Sequence, residues 1–198
     1  MSESERLRLF VAVELPEEWL KHLEEAQQQL QRELEASGAP RLRWTRPEGI
    51  HLTLKFLGET PAARLPEVES AIGQAVVSPP DISLGLGEVG MFTSGRRVRV
   101  VWAGLSGDTE ALARLADKID VACAPLGYGR GMRPFAPHLT LARVPEGASL
   151  DRDVLSGHLH SLKLDDAPPF NVQQVSLMRS HLGPGGARYE RLAAWPRS

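Results

Sequence analysis

The sequence predicts an α+β fold with largely antiparallel sheets, on three observations. Strand and helix patterns intermix without the strict βαβα alternation of a doubly wound sheet. The chain closes on a β-hairpin pattern, residues 171–182 and 188–195 around Gly183-Pro184-Gly185-Gly186. A strand-borne tetrapeptide, His-Leu-Thr-Leu, occurs once in each half, at His51–Leu54 and His138–Leu141.

In order, residues 7–14 read as a mostly apolar strand with Leu7, Leu9, Val11 and Val13 on one face. Pro16 opens a helix to about Ala36, in which Trp19, Leu20, Leu23, Ala26, Leu30 and Leu34 recur at helical steps. Ser37-Gly38-Ala39-Pro40 stops it. A short strand at 41–45 and a turn at Pro47-Glu48-Gly49 lead to a strand over 50–57. A helix is expected over 62–77, broken by Ser78-Pro79-Pro80, then a strand pair at 82–89 and 97–104. Asp108 is a candidate N-cap for a helix to about Ala124. Gly127, Gly129 and Gly131 follow a helix, whereas a dinucleotide-binding loop must leave a strand and open a helix, so they read as a helix exit. A strand at 138–143 and a short helix at 151–162 precede the hairpin. No composition shift marks a linker, and residues 1–198 are expected to form one domain.

Composition excludes several classes. There are 23 Lys+Arg against 25 Asp+Glu, a formal charge of −2, which disfavours a protein held to nucleic acid chiefly by counterion release but leaves room for a local basic groove. Apolar runs are too short for a membrane span. The N-terminus lacks the pattern of a signal peptide, and the one cysteine, Cys123, cannot form an intramolecular disulfide, so a cytoplasmic location is expected.

The repeated tetrapeptide carries the chemistry. Successive strand residues point to opposite faces, so the leucines of each copy face the core while His51 and Thr53, or His138 and Thr140, face outward together. If the two strands face each other across a groove, two imidazoles and two hydroxyls surround one anion-sized gap. A neutral imidazole accepts a proton and an imidazolium donates one, and a pKa near 6.5 makes both forms available at neutrality. That pairing suits phosphoryl chemistry, in which attacking and leaving oxygens lie nearly in line. Thr53 and Thr140 would donate to the non-bridging oxygens.

No zinc-ligand spacing accompanies either copy, and no metal or cofactor is expected. His158 and His160 read as surface, His22 as solvated, and His181 as a residue that could edge the groove. Arg96, Arg97 and Arg99 read as a solvated cluster, and Trp44 and Trp102 as core.

The two His-x-Thr motifs resemble those of the 2H phosphoesterase superfamily. The resemblance extends through RLFVAVELPEE at 8–18, WTRP at 44–47, HLTLKFLGE, VVWAGL at 100–105, PFAPHLTLAR and the closing SLMRSHLGPGGARYERLAAWP. Together these are similar to the bacterial and archaeal RNA 2′,3′-cyclic phosphodiesterases, also called 2′-5′ RNA ligases. The resemblance implies a bilobal, pseudo-two-fold α+β fold, with two antiparallel sheets flanking a central groove and helices outside. It implies metal-independent hydrolysis of 2′,3′-cyclic phosphate RNA ends to 2′-phosphates, with reverse 2′-5′ ligation. RNA ends, such as those of tRNA halves or short oligonucleotides, are the implied partner, and a monomer is the default.

His138 is expected as general base and His51 as general acid, although symmetry permits the exchange. Phe10, Phe92, Arg130 and Arg133 are the candidates for the aromatic and basic residues that such grooves carry. Two alternatives remain at this stage: a 2H phosphodiesterase acting on small cyclic phosphates or 2′-5′ oligonucleotides, and a non-catalytic module that binds RNA ends.

Overall fold

The computed structural model describes residues 5–78, 80–129, 134–164, 166–183 and 186–197. Its elements in order are β1 (Arg6–Glu14), α1 (Glu17–Ala36), β2 (Arg43–Trp44), β3 (His51–Pro61), α2 (Leu65–Ala75), β4 (Ser83–Ser94), β5 (Arg97–Gly107), α3 (Thr109–Cys123), β6 (Leu139–Arg143), α4 (Arg152–Leu159), β7 (Phe170–Asn171), β8 (Val175–Gly183) and β9 (Gly186–Trp195). They form a four-stranded sheet, β3-β1-β8-β9, and a five-stranded sheet, β2-β6-β5-β4-β7. Every pairing in both is antiparallel.

The two halves repeat one plan. In each, a strand leads into a helix, and a later strand bearing the His-x-Thr motif returns to pair antiparallel with it: β1 with β3, and β5 with β6. A further helix follows each motif strand, α2 in one half and α4 in the other. Antiparallel return is what places the motif beside a strand far upstream in the chain.

The inward leucines behave as their alternation requires. Leu52, Leu54, Leu139 and Leu141 are all buried in one hydrophobic cluster, which draws on both sheets and on α1, α2 and α3. Helix α1 reaches two clusters along its length. Trp19, Leu23 and Ala26 enter the shared cluster, while Leu30 and Leu34 pack with Val98, Val101, Ala142 and Leu155 in a second. The buried Gln27 stands between them and donates from Nε2 to the carbonyls of Thr45 and Leu141, each at 2.8 Å. The Leu141 carbonyl also accepts from the Thr45 amide at 2.8 Å, so the Gln27 side chain ties α1 to the segment where β2 and β6 pair.

Several expected boundaries move for identifiable reasons. β3 runs to Pro61 rather than ending near Leu57, because two register shifts and a left-handed Gly58 (φ +71°) keep it paired with the start of β1. The shift at Leu54 also ends the simple alternation: Lys55 and Leu57 are buried, while Phe56 is 61% exposed. The β4–β5 hairpin is longer than expected and turns through Gly95 at φ +60°. α2 starts three residues late, after a 3-10 turn over Ala62–Arg64.

Asp108 occupies the N-cap of α3, but its carboxylate makes no capping bond; Oδ2 accepts from the Ser83 amide at 2.9 Å instead. Asp151 does cap α4, accepting from the Asp153 amide.

Candidate active site

Each motif histidine is held by the same local device. Nδ1 of His51 donates to the Gly49 carbonyl at 2.9 Å, and Nδ1 of His138 donates to the Ala136 carbonyl at 2.8 Å. A carbonyl only accepts, so Nδ1 carries the hydrogen and the neutral ring presents an unprotonated Nε2. Proline-containing approaches, Arg46-Pro47-Glu48-Gly49 and Pro134-Phe135-Ala136-Pro137, set the backbone that supplies these carbonyls.

Each ring also leans on an aromatic side chain of its own sheet, Phe10 from the adjacent β1 and Phe92 from β4, one strand further away. Phe10 stacks on His51 with centroids 4.6 Å apart, and Phe92 meets His138 edge-on at 4.9 Å. Both phenylalanines thus pack against the motif histidines. Phe10 is fully buried beneath His51. Phe92 in turn tilts against Trp102, whose register partner across the β5–β6 pair is Thr140. Trp102 thus stands on the groove face beside Thr140 rather than in the core, and its buried indole Nε1 has no hydrogen-bond partner among the described residues. Trp44 packs against the second cluster, as expected.

Thr53 pairs in register with Ala12 and shares its face with His51. That face of the first sheet carries its own small cluster, Phe10, Ala12 and Met178, closed by Tyr189. The sequence reading does not single out Tyr189, yet its ring meets His51 edge-on at 4.8 Å and Phe10 at 5.3 Å. The Pro47–Gly49 turn lies against the same ring: a Cβ on Gly49 would sit 3.4 Å from Tyr189 Cε2, an ordinary contact distance. Period-2 alternation along β9 is a signal for which face Tyr189 takes, but nothing local says that β9 curls round to reach the Pro47–Gly49 turn.

Burial lowers the His51 pKa to about 4, opposed by the Gly49 hydrogen bond and by the charge of Glu14. Glu14 is the register partner of His51, and its Oε1 accepts from Ser176 Oγ at 2.5 Å and Arg191 Nη1 at 3.2 Å. Burial raises the Tyr189 phenol, while Arg143 and Arg8 draw it down. Arg143 belongs to the second sheet and Tyr189 to the first, so this electrostatic coupling spans the space between the sheets. Tyr189, Glu14, Ser176 and Arg191 all come from strands far from either motif in sequence.

The remaining candidates fall elsewhere. Arg130 and Arg133 lie outside the described residues. Arg96 ion-pairs with Asp151 and Asp153 at the far end of the hairpin, consistent with a solvated cluster. His181 does not edge the groove; it alternates to the opposite face of β8 from Ser180 and Tyr189 and bonds Glu190 Oε2 at 2.9 Å. His158 pairs with Glu33 and His22 with the Glu18 carbonyl, both on helices. No group of three or more His, Cys, Asp and Glu side chains is arranged to hold a metal ion among the described residues.

Two strand-borne His-x-Thr motifs in two antiparallel lobes define a 2H phosphoesterase. The family model described as LigT like Phosphoesterase matches residues 13–102 and 105–189, one motif in each segment, and the chain belongs to that family. It is 29% identical over 184 residues to the RNA 2′,3′-cyclic phosphodiesterase of Methanothermobacter thermautotrophicus, covering 93% of this chain and 95% of that one. It is 32% identical to the protein of the same name from Archaeoglobus fulgidus, covering 94% and 98%. Among solved structures it is similar to Escherichia coli LigT in its apo form, with TM-score 0.69 and 26% identity over 97% of this chain and 98% of that one. No helix is long and apolar enough to cross a membrane among the described residues.

Proposed function

We propose that the protein hydrolyses 2′,3′-cyclic phosphate ends of RNA to 2′-phosphates, using His51 and His138 as a metal-independent acid–base pair. The observation that carries this reading is the duplicated histidine: Nδ1 bound to a carbonyl two residues upstream, Nε2 presented, an aromatic ring against the imidazole, and a threonine two residues on. A module that only clamps phosphate has no need to orient two titrating nitrogens alike; charge-assisted arginine bonds would serve it better. The activity for which these relatives are named agrees with this chemistry.

In the reaction, a water oxygen attacks phosphorus as its proton passes to the base. The bond from phosphorus to the 3′ oxygen breaks, and the acid protonates that oxygen. The products are a 2′-phosphate and a free 3′ hydroxyl. Thr53 and Thr140 donate to the non-bridging oxygens, where negative charge accumulates. With a 5′ hydroxyl in place of water as the nucleophile, the same steps break the bond to the 3′ oxygen and form a 2′-5′ linkage.

Sequence symmetry does not choose between the expected roles, His138 as base and His51 as acid, and their exchange, and the desolvation of His51 supports the exchange. With a pKa of about 4, His51 is neutral at pH 7 and ready to accept a proton. The acid then falls to His138.

His51→Ala and His138→Ala should each lower cyclic phosphate hydrolysis in the presence of a chelator by at least ~100-fold while leaving the circular dichroism spectrum intact. Near-normal turnover in either variant overturns the reading. A cyclic substrate with sulfur at the 3′ bridging position has a leaving group that needs no proton. It should restore turnover to His138→Ala and not to His51→Ala; the opposite pattern returns the roles to the sequence-based assignment.

A further inference from the structure

The groove face of the first sheet continues past the histidines. Along β1, Arg8 shares the face of Phe10, Ala12 and Glu14, because Leu7, Leu9 and Val11 face the core. Beside them on β3, Phe56 is the register partner of Phe10, with ring centroids 5.7 Å apart. Phe56 is 61% exposed, an unusual amount for a large aromatic that could have been covered by its neighbours. On the second sheet, Arg143 is the register partner of both Val100 and Arg43, and Val100 pairs with Phe92, the residue against His138. Arg143 and Arg8 both act on the Tyr189 phenol. Neither arginine is ion-paired among the described residues. Arg191, by contrast, is paired with Glu14.

An exposed aromatic ring next to unpaired guanidinium groups is the combination that binds single-stranded nucleic acid, with bases stacked on the ring and phosphates on the cations. We propose that Arg8 and Arg143 bind the phosphodiester on the 5′ side of the terminal nucleotide and that Phe56 stacks the base preceding it, so that the enzyme acts on oligonucleotide ends in preference to cyclic mononucleotides. The proposal rests on the cyclic phosphodiesterase reading for the position of the terminal phosphate. Stacking on a phenyl face accepts any base, so the subsite reads length and single-strandedness rather than sequence. It also reconciles an overall charge of −2 with an RNA substrate, since two or three uncompensated cations in one groove suffice.

The test compares kcat/KM for cytidine 2′,3′-cyclic phosphate with that for a cytidine dinucleotide ending in the same cyclic phosphate. The ratio of the two cancels any change common to both substrates. The parent protein should prefer the dinucleotide by about tenfold or more at low salt. Arg8→Gln and Arg143→Gln should each reduce that preference, and the double variant should bring it near one. Phe56→Ala should reduce it several-fold, and Phe56→Trp should preserve it. A preference near one in the parent protein, or variants that lower both substrates equally, overturns the proposal.

Calorimetric binding of the products separates this from the reaction itself. If neither cyclic substrate turns over, the functional reading fails. The affinity of the dinucleotide 2′-phosphate relative to cytidine 2′-phosphate then decides the subsite alone: tighter binding lost in the double arginine variant supports it, and equal binding overturns it.

Discussion

His51 is the residue at which burial and chemistry meet most directly. Phe10 and Tyr189 pack against two sides of its ring, and the resulting desolvation lowers its pKa to about 4 from the usual value near 6.5. Between those two pH values the unfolded chain holds a proton on His51 that the folded chain does not. Stability therefore falls as pH drops from about 6.5 to about 4, by about 3 kcal/mol for this residue. Urea unfolding of the parent protein and of His51→Gln across that interval should show this slope only in the parent; identical slopes would remove the assignment. Activity follows the same group. With His51 as the base, the acid limb of kcat/KM should lie near pH 4 rather than near 6.5.

Both motif histidines and both threonines are legible in the sequence, because alternation along a strand is a local property. Tyr189 is not, because its contact with His51 depends on how far the first sheet curls. Glu14 is similarly invisible: its proximity to His51 is a matter of register between β1 and β3.

At the scale of elements, the β4–β5 hairpin shows how a backbone position supports the site. A Cβ on Gly90 would fall 2.4 Å from Cζ2 and Cη2 of Trp102, a rigid ring that must shift as a whole. Gly90→Ala should push that ring toward Phe92, and through it toward His138. The overpacking should cost about 1–3 kcal/mol, with a fall in kcat that is large relative to any change in KM. Thermal unfolding and steady-state kinetics check both parts, and unchanged values for both would show that the ring moves freely.

The helices and strands were largely readable from periodicity, including the apolar stripe of α1 and the closing hairpin. Their ends were not. β3 extends because of bulges opposite β1, and the Asp108 carboxylate serves the Ser83 amide rather than its own helix. In both cases the deciding partner is distant in sequence.

For the whole molecule, the leucines beneath the two motifs share one buried cluster, and Gln27 ties α1 to the second motif strand. The lobes that carry the two histidines are thus joined by the same core that supports each strand. Leu141→Ala should destabilise by about 2–5 kcal/mol. Because the cluster is common to both sheets, circular dichroism in the near and far ultraviolet should lose signal in one shared transition; two separated transitions would mean that the lobes fold independently.

The antiparallel α+β class, the duplicated His-x-Thr strand and the inward leucines were determined by the sequence alone. Alternation of side chains is set residue by residue along an extended chain. Tertiary structure decided which aromatic rings enclose each imidazole, how strongly His51 is desolvated, and which arginines remain unpaired on the groove face. Burial and electrostatic environment are sums over neighbours, and here those neighbours arrive from β1, β8 and β9, brought together only when the sheet closes around the site.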